Sequence, residues 1–162
     1  MNFPPGEFNG YRMTFHPEPL PSDFNPAGVL VFVIHDGKFL VGNVLGRGYC
    51  IPGGGIEEGE TPDEALEREI WEEVKASIFD SVQIGYFYVE KTDRYFHCYI
   101  APVGELLPFE ITHETISRKL VDLEWLRENY FSWNDLYEVL FPYALEQFKK
   151  HFPAHSLSTD VE

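Results

Sequence analysis

The chain has 162 residues and carries 27 acidic against 12 basic side chains, a formal charge of −15. That length suits one domain with a single core, and 44% hydrophobic with 16% aromatic content excludes an intrinsically disordered chain. The acidic balance argues against a surface that tracks polymeric nucleic acid; an anionic small substrate would need a divalent cation between itself and the carboxylates.

The first residues have neither a basic n-region nor an apolar h-region, so they do not read as a signal peptide. No apolar run reaches the length of a membrane span, and no membrane partner is expected. Residues 1–26 are rich in proline and aromatics and read as an extended arm lying on a domain of residues 27–152. Within the arm, residues 11–16 suit a short strand, whereas His16-Pro17-Glu18-Pro19-Leu20-Pro21 excludes helix. Residues 27–34 and 38–45 are apolar strands joined by His35-Asp36-Gly37, an Asp-Gly turn of the type I′ kind. Gly46-Arg47-Gly48 is a break, and Pro52 ends a short strand at 49–51.

A helix is expected from Thr61. Thr61 with Glu64 makes a capping box, Pro62 suits the first helical position, and Asp63 and Glu64 favour the positive end of the dipole. Leu66, Ile70 and Val74, with Ala65, form its apolar stripe. Residues 82–90 and 95–101 read as strands around a turn at 91–94, followed by an acidic loop with Gly104 and Pro108. A strand is expected over 120–126, and a last helix capped by Ser132 and kinked at Pro142 runs to about Lys150. Residues 153–162 are expected to form a flexible tail. Cys50 and Cys98 lie in apolar stretches and read as reduced core thiols of an intracellular, cytoplasmic protein; no Cys/His spacing suggests zinc.

The chemistry concentrates between Gly53 and Glu73. Three glycines, Gly53, Gly54 and Gly55, let the backbone approach a ligand closely. Glu69, Glu72 and Glu73 follow at i, i+3 and i+4, on one helical face. Such like-charge pairs cost roughly 0.2–0.5 kcal/mol each, a cost most readily offset by a cation over the face. Hard carboxylate oxygens suit Mg²⁺ or Mn²⁺, and the lack of sulfur and imidazole disfavours zinc.

Gly54, then five residues, Glu60, then seven residues, then Arg68-Glu69-Ile70-Trp71-Glu72-Glu73 resembles the signature of the Nudix hydrolases. The lead-in Ile51-Pro52-Gly53-Gly54-Gly55 is similar too. The resemblance implies an α/β fold, a Nudix-type α/β/α sandwich with a mixed β-sheet. It implies Mg²⁺- or Mn²⁺-dependent hydrolysis of a nucleoside diphosphate linked to another group. Glu69, Glu72 and Glu73 would bind metal, joined by the Gly53 carbonyl; Arg68 would hold a glutamate in place, with Glu60 behind it. Catalysis would rest on Glu72, Glu73 and Arg68, with a general base among the glutamates. Some members take that base from outside the signature, and here Glu114 is the first choice and Glu110 the second. One position departs: the glycine that usually follows the paired glutamates is Lys75, so the helix is expected either to continue past Ala76 or to end without that cap.

Substrate contacts are expected from Arg47, Gly54, Gly55 and Tyr95. Tyr86, Tyr88 and Tyr99 share the alternation of Tyr95 and suit either base stacking or core packing. Arg94 suits a substrate contact or an exposed loop, His97 an interior position, and His113 is a weak site candidate. The substrate expected is a small nucleotide, most simply a (deoxy)nucleoside triphosphate giving monophosphate and pyrophosphate. Nucleotide sugars, ADP-ribose and dinucleoside polyphosphates remain alternatives, as does a non-catalytic nucleotide-sensing module. Many relatives dimerise, and the sequence leaves a homodimer open without fixing the oligomeric state.

Overall fold

The computed structural model describes residues 2–112 and 114–156. In chain order its elements are β1 (Gly6–Phe8), β2 (Tyr11–His16), β3 (Pro26–His35), β4 (Lys38–Val44), β5 (Gly48–Cys50), β6 (Gly53–Gly55), α1 (Pro62–Val74), β7 (Ala76–Ser77), β8 (Val82–Val89), β9 (Arg94–Pro102), β10 (Glu105–Leu106), β11 (Thr115–Val121), α2 (Leu123–Asn129), α3 (Asp135–His151) and α4 (Pro153–Ser156). Hairpin turns set the register of the strands. Asp36 and Gly37 both take positive φ between β3 and β4, as a type I′ turn requires, and Asn9 and Gly10 do the same between β1 and β2.

The main sheet runs β1-β2-β8-β9-β3-β4-β11, with β5 on β4 and β6 on β3. The β3–β9 pair is parallel and the other pairs are antiparallel, so the sheet is mixed. Part of the proline-rich arm is therefore sheet: Met13 to His16 pair with Val89 to Tyr86. One face of the sheet packs on α1 through Val29, Val31, Val33, Leu40, Leu66, Ile70 and Val74. The other packs on α3 through Phe32, Phe39, Phe87, Leu136, Leu140 and Phe141. This is the α/β/α layering expected. Truncating a fully buried member such as Ile70 to alanine costs about 2–5 kcal/mol.

The start of α1 forms as its sequence dictates. Thr61 Oγ1 accepts from Glu64 N at 3.1 Å, and Glu64 Oε1 accepts from Thr61 N at 2.9 Å. Its end resolves the question posed by Lys75. The helix stops at Val74, and Lys75 takes the left-handed conformation at φ 50°, ψ 54°, donating its N–H to Trp71 O. A lysine there costs on the order of 1 kcal/mol relative to glycine. Arg118, on β11, offsets part of this by donating Nη1 to the carbonyls of Val74 and Lys75 at 2.9 and 2.8 Å, and Leu107 N also donates to Lys75 O at 2.9 Å.

Several expected boundaries move. The apolar run 120–126 is not one strand: β11 ends at Val121, and Asp122 caps α2 by accepting from Trp125 N at 2.9 Å. The cap of α3 is Asn134 rather than Ser132, its Oδ1 accepting from Leu136 N at 3.0 Å while its amide donates to Glu7 O at 3.2 Å. That second bond ties the first strand to the last long helix. α3 is helical on both sides of Pro142. The acidic loop contributes β10, which pairs with β7. Pro153–Ser156 forms a helical turn, and the remainder of the expected tail lies outside the described residues.

Candidate active site

Two rigid pieces meet at the site: the glycine strand β6 and the inward face of α1. Gly53 donates its N–H to Glu73 Oε1 at 2.7 Å. Gly54 leaves room for the Glu69 carboxylate, whose Oε1 lies 2.4 Å from where a Cβ on Gly54 would be. Glu69 and Glu73 are buried while Glu72 is half exposed, so the three carboxylates grade outward from the loop.

Arg68 organises this group. Nε and Nη2 donate to the two oxygens of Glu60 at 2.8 and 3.0 Å, and Nη2 also reaches Gly55 O at 2.9 Å. Nη1 donates to Glu69 Oε1 at 2.9 Å and Glu72 Oε1 at 3.0 Å. All five guanidinium donors are thus engaged, and the expectation that Arg68 holds a glutamate understates its role. The fork brings the Glu60 carboxyl down to about 2.

The buried carboxyls shift the other way. Burial pushes Glu73 up to about 8, opposed by the Gly53 N–H and reinforced by the charges of Glu69 and Glu114. Burial also lifts Glu69 to about 6 against the pull of Arg68, with Glu72 and Glu114 adding repulsion. Glu114 is therefore within electrostatic reach of both, although 41 residues separate it from Glu73 in sequence. Its loop is anchored where Leu45 N donates to Glu114 O at 2.6 Å and Thr112 Oγ1 accepts from Glu114 N at 3.2 Å. Glu110 is exposed and is not among the charges that act on Glu69 or Glu73. His113 lies outside the described residues.

Among the described residues, no three His, Cys, Asp or Glu side chains converge as a ready-made metal nest. Glu69 and Glu72 are turned onto Arg68, and Glu73 onto the Gly53 N–H. The donor chemistry nevertheless fits a hard divalent cation: oxygen ligands only, with two carboxyls that burial holds towards the protonated form and a cation would return to the ionised one.

A cavity of about 210 Å³ opens beside the glycine strand, lined by Gly53, Gly54, Gly55, Leu30, Phe96, Phe8, Phe131 and Arg47 among others. The Arg47 guanidinium lies 5.6 Å from the Phe8 ring centre and 5.7 Å from that of Phe131, within cation–π range of both. Arg94 sits 5.5 Å over Phe96 at the same cavity. Cys50 also lines it, and burial pushes its thiol up to about 11, so it stays protonated.

Arg47, Gly54 and Gly55 are thus brought together, and Tyr95 is not. Strand alternation sends Phe96 into the cavity and Tyr95 to the opposite face, where it stacks on Phe24 at 4.8 Å. Tyr86 and Tyr88 share that outer face with Tyr95. His97 lies 2.6 Å from Gln83 through Nδ1, a satisfied half-buried position. Phe96 was within reach of sequence reasoning through its parity with Tyr95. Phe8 carried no signal, because its place depends on β1 joining a distant part of the sheet.

A NUDIX domain model matches residues 24–141, and the chain belongs to that family. It is a Nudix-type hydrolase, and such hydrolases generally use divalent metal ions. A search of the curated proteins returned no match. Among solved structures, a mutant of the Bacillus subtilis pyrophosphohydrolase BsRppH is similar over 94% of this chain and 98% of its own, with a TM-score of 0.75 and 23% identity. MutT from Aliivibrio salmonicida and Vibrio cholerae matches 75% of this chain and 96% of its own, with a TM-score of 0.56 and 15% identity. A C. elegans Ap4A hydrolase matches 78% and 98%, with a TM-score of 0.56 and 14% identity. At these identities the likeness is one of fold. Among the described residues, no helix is long and apolar enough to cross a membrane.

Proposed function

We propose that this chain hydrolyses a (deoxy)nucleoside triphosphate to the monophosphate and pyrophosphate, with Mg²⁺ or Mn²⁺ held by Glu69, Glu72, Glu73 and the Gly53 carbonyl. The observation that carries the reading is the set of glutamates fixed by Arg68 and the Gly53 N–H against a glycine strand that also lines an aromatic, arginine-bearing cavity. A divalent cation supplies Lewis-acid polarisation of the phosphoryl oxygens when bound. The chain does the rest. Phe8, Phe96 and Phe131 hold the base, and Arg47 meets its polar edge or the adjoining phosphate. Arg68 fixes the inner carboxylates. Glu114 takes a proton from water as its oxygen bonds to phosphorus and the anhydride P–O bond breaks. The buried thiols of Cys50 and Cys98 support an intracellular setting.

The test is a panel of nucleoside triphosphates, nucleotide sugars, ADP-ribose and dinucleoside polyphosphates with Mg²⁺, with products identified. Glu72→Gln and Glu73→Gln are expected to abolish turnover with the fold intact, and Glu114→Gln to slow it about 10²–10⁴-fold. Near-full activity in the first two variants would sink the assignment. No release from any substrate, with ligand-dependent thermal shifts, would favour a sensor.

A further inference from the structure

A surface depression separate in its lining from the aromatic cavity is bordered by Trp71, Glu72, Lys75, Thr112 and Glu114. Lys75 is the only cation among those residues. Its ammonium sits 4.0 Å above the Trp71 ring, and the residue is 6% exposed. Its backbone is hydrogen-bonded at both ends, to Trp71 O and from Arg118 and Leu107, whereas among the described residues the contact recorded for its ammonium is the π-face of Trp71. It is also held at φ 50°, a conformation that glycine takes freely and lysine does not. Backbone strain and a sparsely satisfied charge thus fall on one residue, immediately after Glu73 and Val74. Such a combination is informative about function.

The neighbouring cations are otherwise committed. Arg68 has spent all its donors on carboxylates and Gly55 O, and Arg118 donates to the helix-end carbonyls. The glycine strand lines the aromatic cavity and touches Glu69 and Glu73, Arg68 bonds both Glu69 and Glu72, and Glu72 and Glu114 line the depression that holds Lys75 and Trp71.

We propose that Lys75, held on Trp71, is a subsite for the phosphoryl groups distal to the bond that is cut, and that it selects substrates whose leaving group is an anionic pyrophosphate. This deepens the function proposed above and rests on it. A lysine is a compact point charge suited to a phosphate without a fixed fork.

The experiment measures pyrophosphate binding by calorimetry with Mg²⁺, for the wild type, Lys75→Gly, Lys75→Gln and Lys75→Arg. Steady-state kinetics on a nucleoside triphosphate and on a nucleotide sugar run alongside. Glycine takes the positive φ without strain, so Lys75→Gly is expected to fold. Pyrophosphate affinity should fall about tenfold in the glycine and glutamine variants, the scale of one charge-assisted contact, and recover in Lys75→Arg. KM should rise for the triphosphate and hold for the nucleotide sugar. Wild-type pyrophosphate affinity in both Lys75→Gly and Lys75→Gln would overturn the subsite. If the wild type cleaves nothing in the panel, the functional reading fails, while the pyrophosphate measurement still decides the subsite.

Discussion

The Glu69 carboxylate occupies the space that a side chain on Gly54 would need, with Oε1 2.4 Å from the Cβ position. Gly54→Ala is therefore expected to displace Glu69 from Arg68 and lower activity about tenfold or more, with little loss of stability, since the obstructing atoms end a flexible side chain. Gly53→Ala is different: its Cβ would lie 2.5 Å from the Val29 carbonyl oxygen. That clash is with strand backbone and should cost about 1–3 kcal/mol of stability. Urea melts beside turnover assays separate the two, and equal destabilisation by both would contradict this account.

Arg68→Lys is expected to be non-conservative. A lysine has three donors and no fork, so it cannot serve Glu60, Glu69, Glu72 and Gly55 O together. The expected loss is about 1–3 kcal/mol of stability and about 10–100-fold in activity. Retention of wild-type activity would show that the arrangement of these carboxylates does not depend on the guanidinium.

The buried carboxyls give the metal-free protein an unusual pH dependence. Glu73 and Glu69 titrate near 8 and 6 when folded but near 4.5 when unfolded. Between those limits the folded chain binds more protons, so stability falls as pH rises from about 4.5 to about 8. Glu60 acts with the opposite sign and only at the acid end, where its stabilising contribution is lost as pH falls below 4.5 towards about 2. A divalent cation that binds the ionised carboxylates should offset the first effect. The Mg²⁺-induced rise in Tm is therefore expected to grow with pH across that window and to shrink in Glu73→Gln. A gain independent of pH in the wild type would count against these ligands.

Phe8→Ala and Phe131→Ala each remove one ring from beside Arg47. Losses of about 0.5–1.5 kcal/mol in binding correspond to a few-fold to about a tenfold rise in KM, with kcat held. An unchanged KM in both would place the nucleoside elsewhere.

Local chemistry was the legible part of this chain. Thr61 and Glu64 announce the helix, Asp36-Gly37 the hairpin, and the spacing of Arg68 to Glu73 the site, because each depends on neighbours a few residues away. The break at Asp122 was also written locally, with Trp125 three residues on, but the apolar run across it hid the cap. Asn134 outcompetes Ser132 because its amide also reaches Glu7 across the fold. Tyr95 shows the other limit. A tyrosine near a site is visible in sequence, but the face it occupies is decided by pairing with β3 and β8. Lys75 keeps the left-handed cap despite its side chain because Arg118, far along the chain, satisfies the carbonyls that the helix leaves open.

Phe8 and Met13 line the cavity, yet both precede residue 24, where the family match begins. Ala144, Phe148 and Phe152 complete the core beyond residue 141, where it ends. A fragment trimmed to the matched span would keep Glu60, Glu69, Glu72, Glu73 and Glu114 and lose the Phe8 and Met13 side of the cavity beside them.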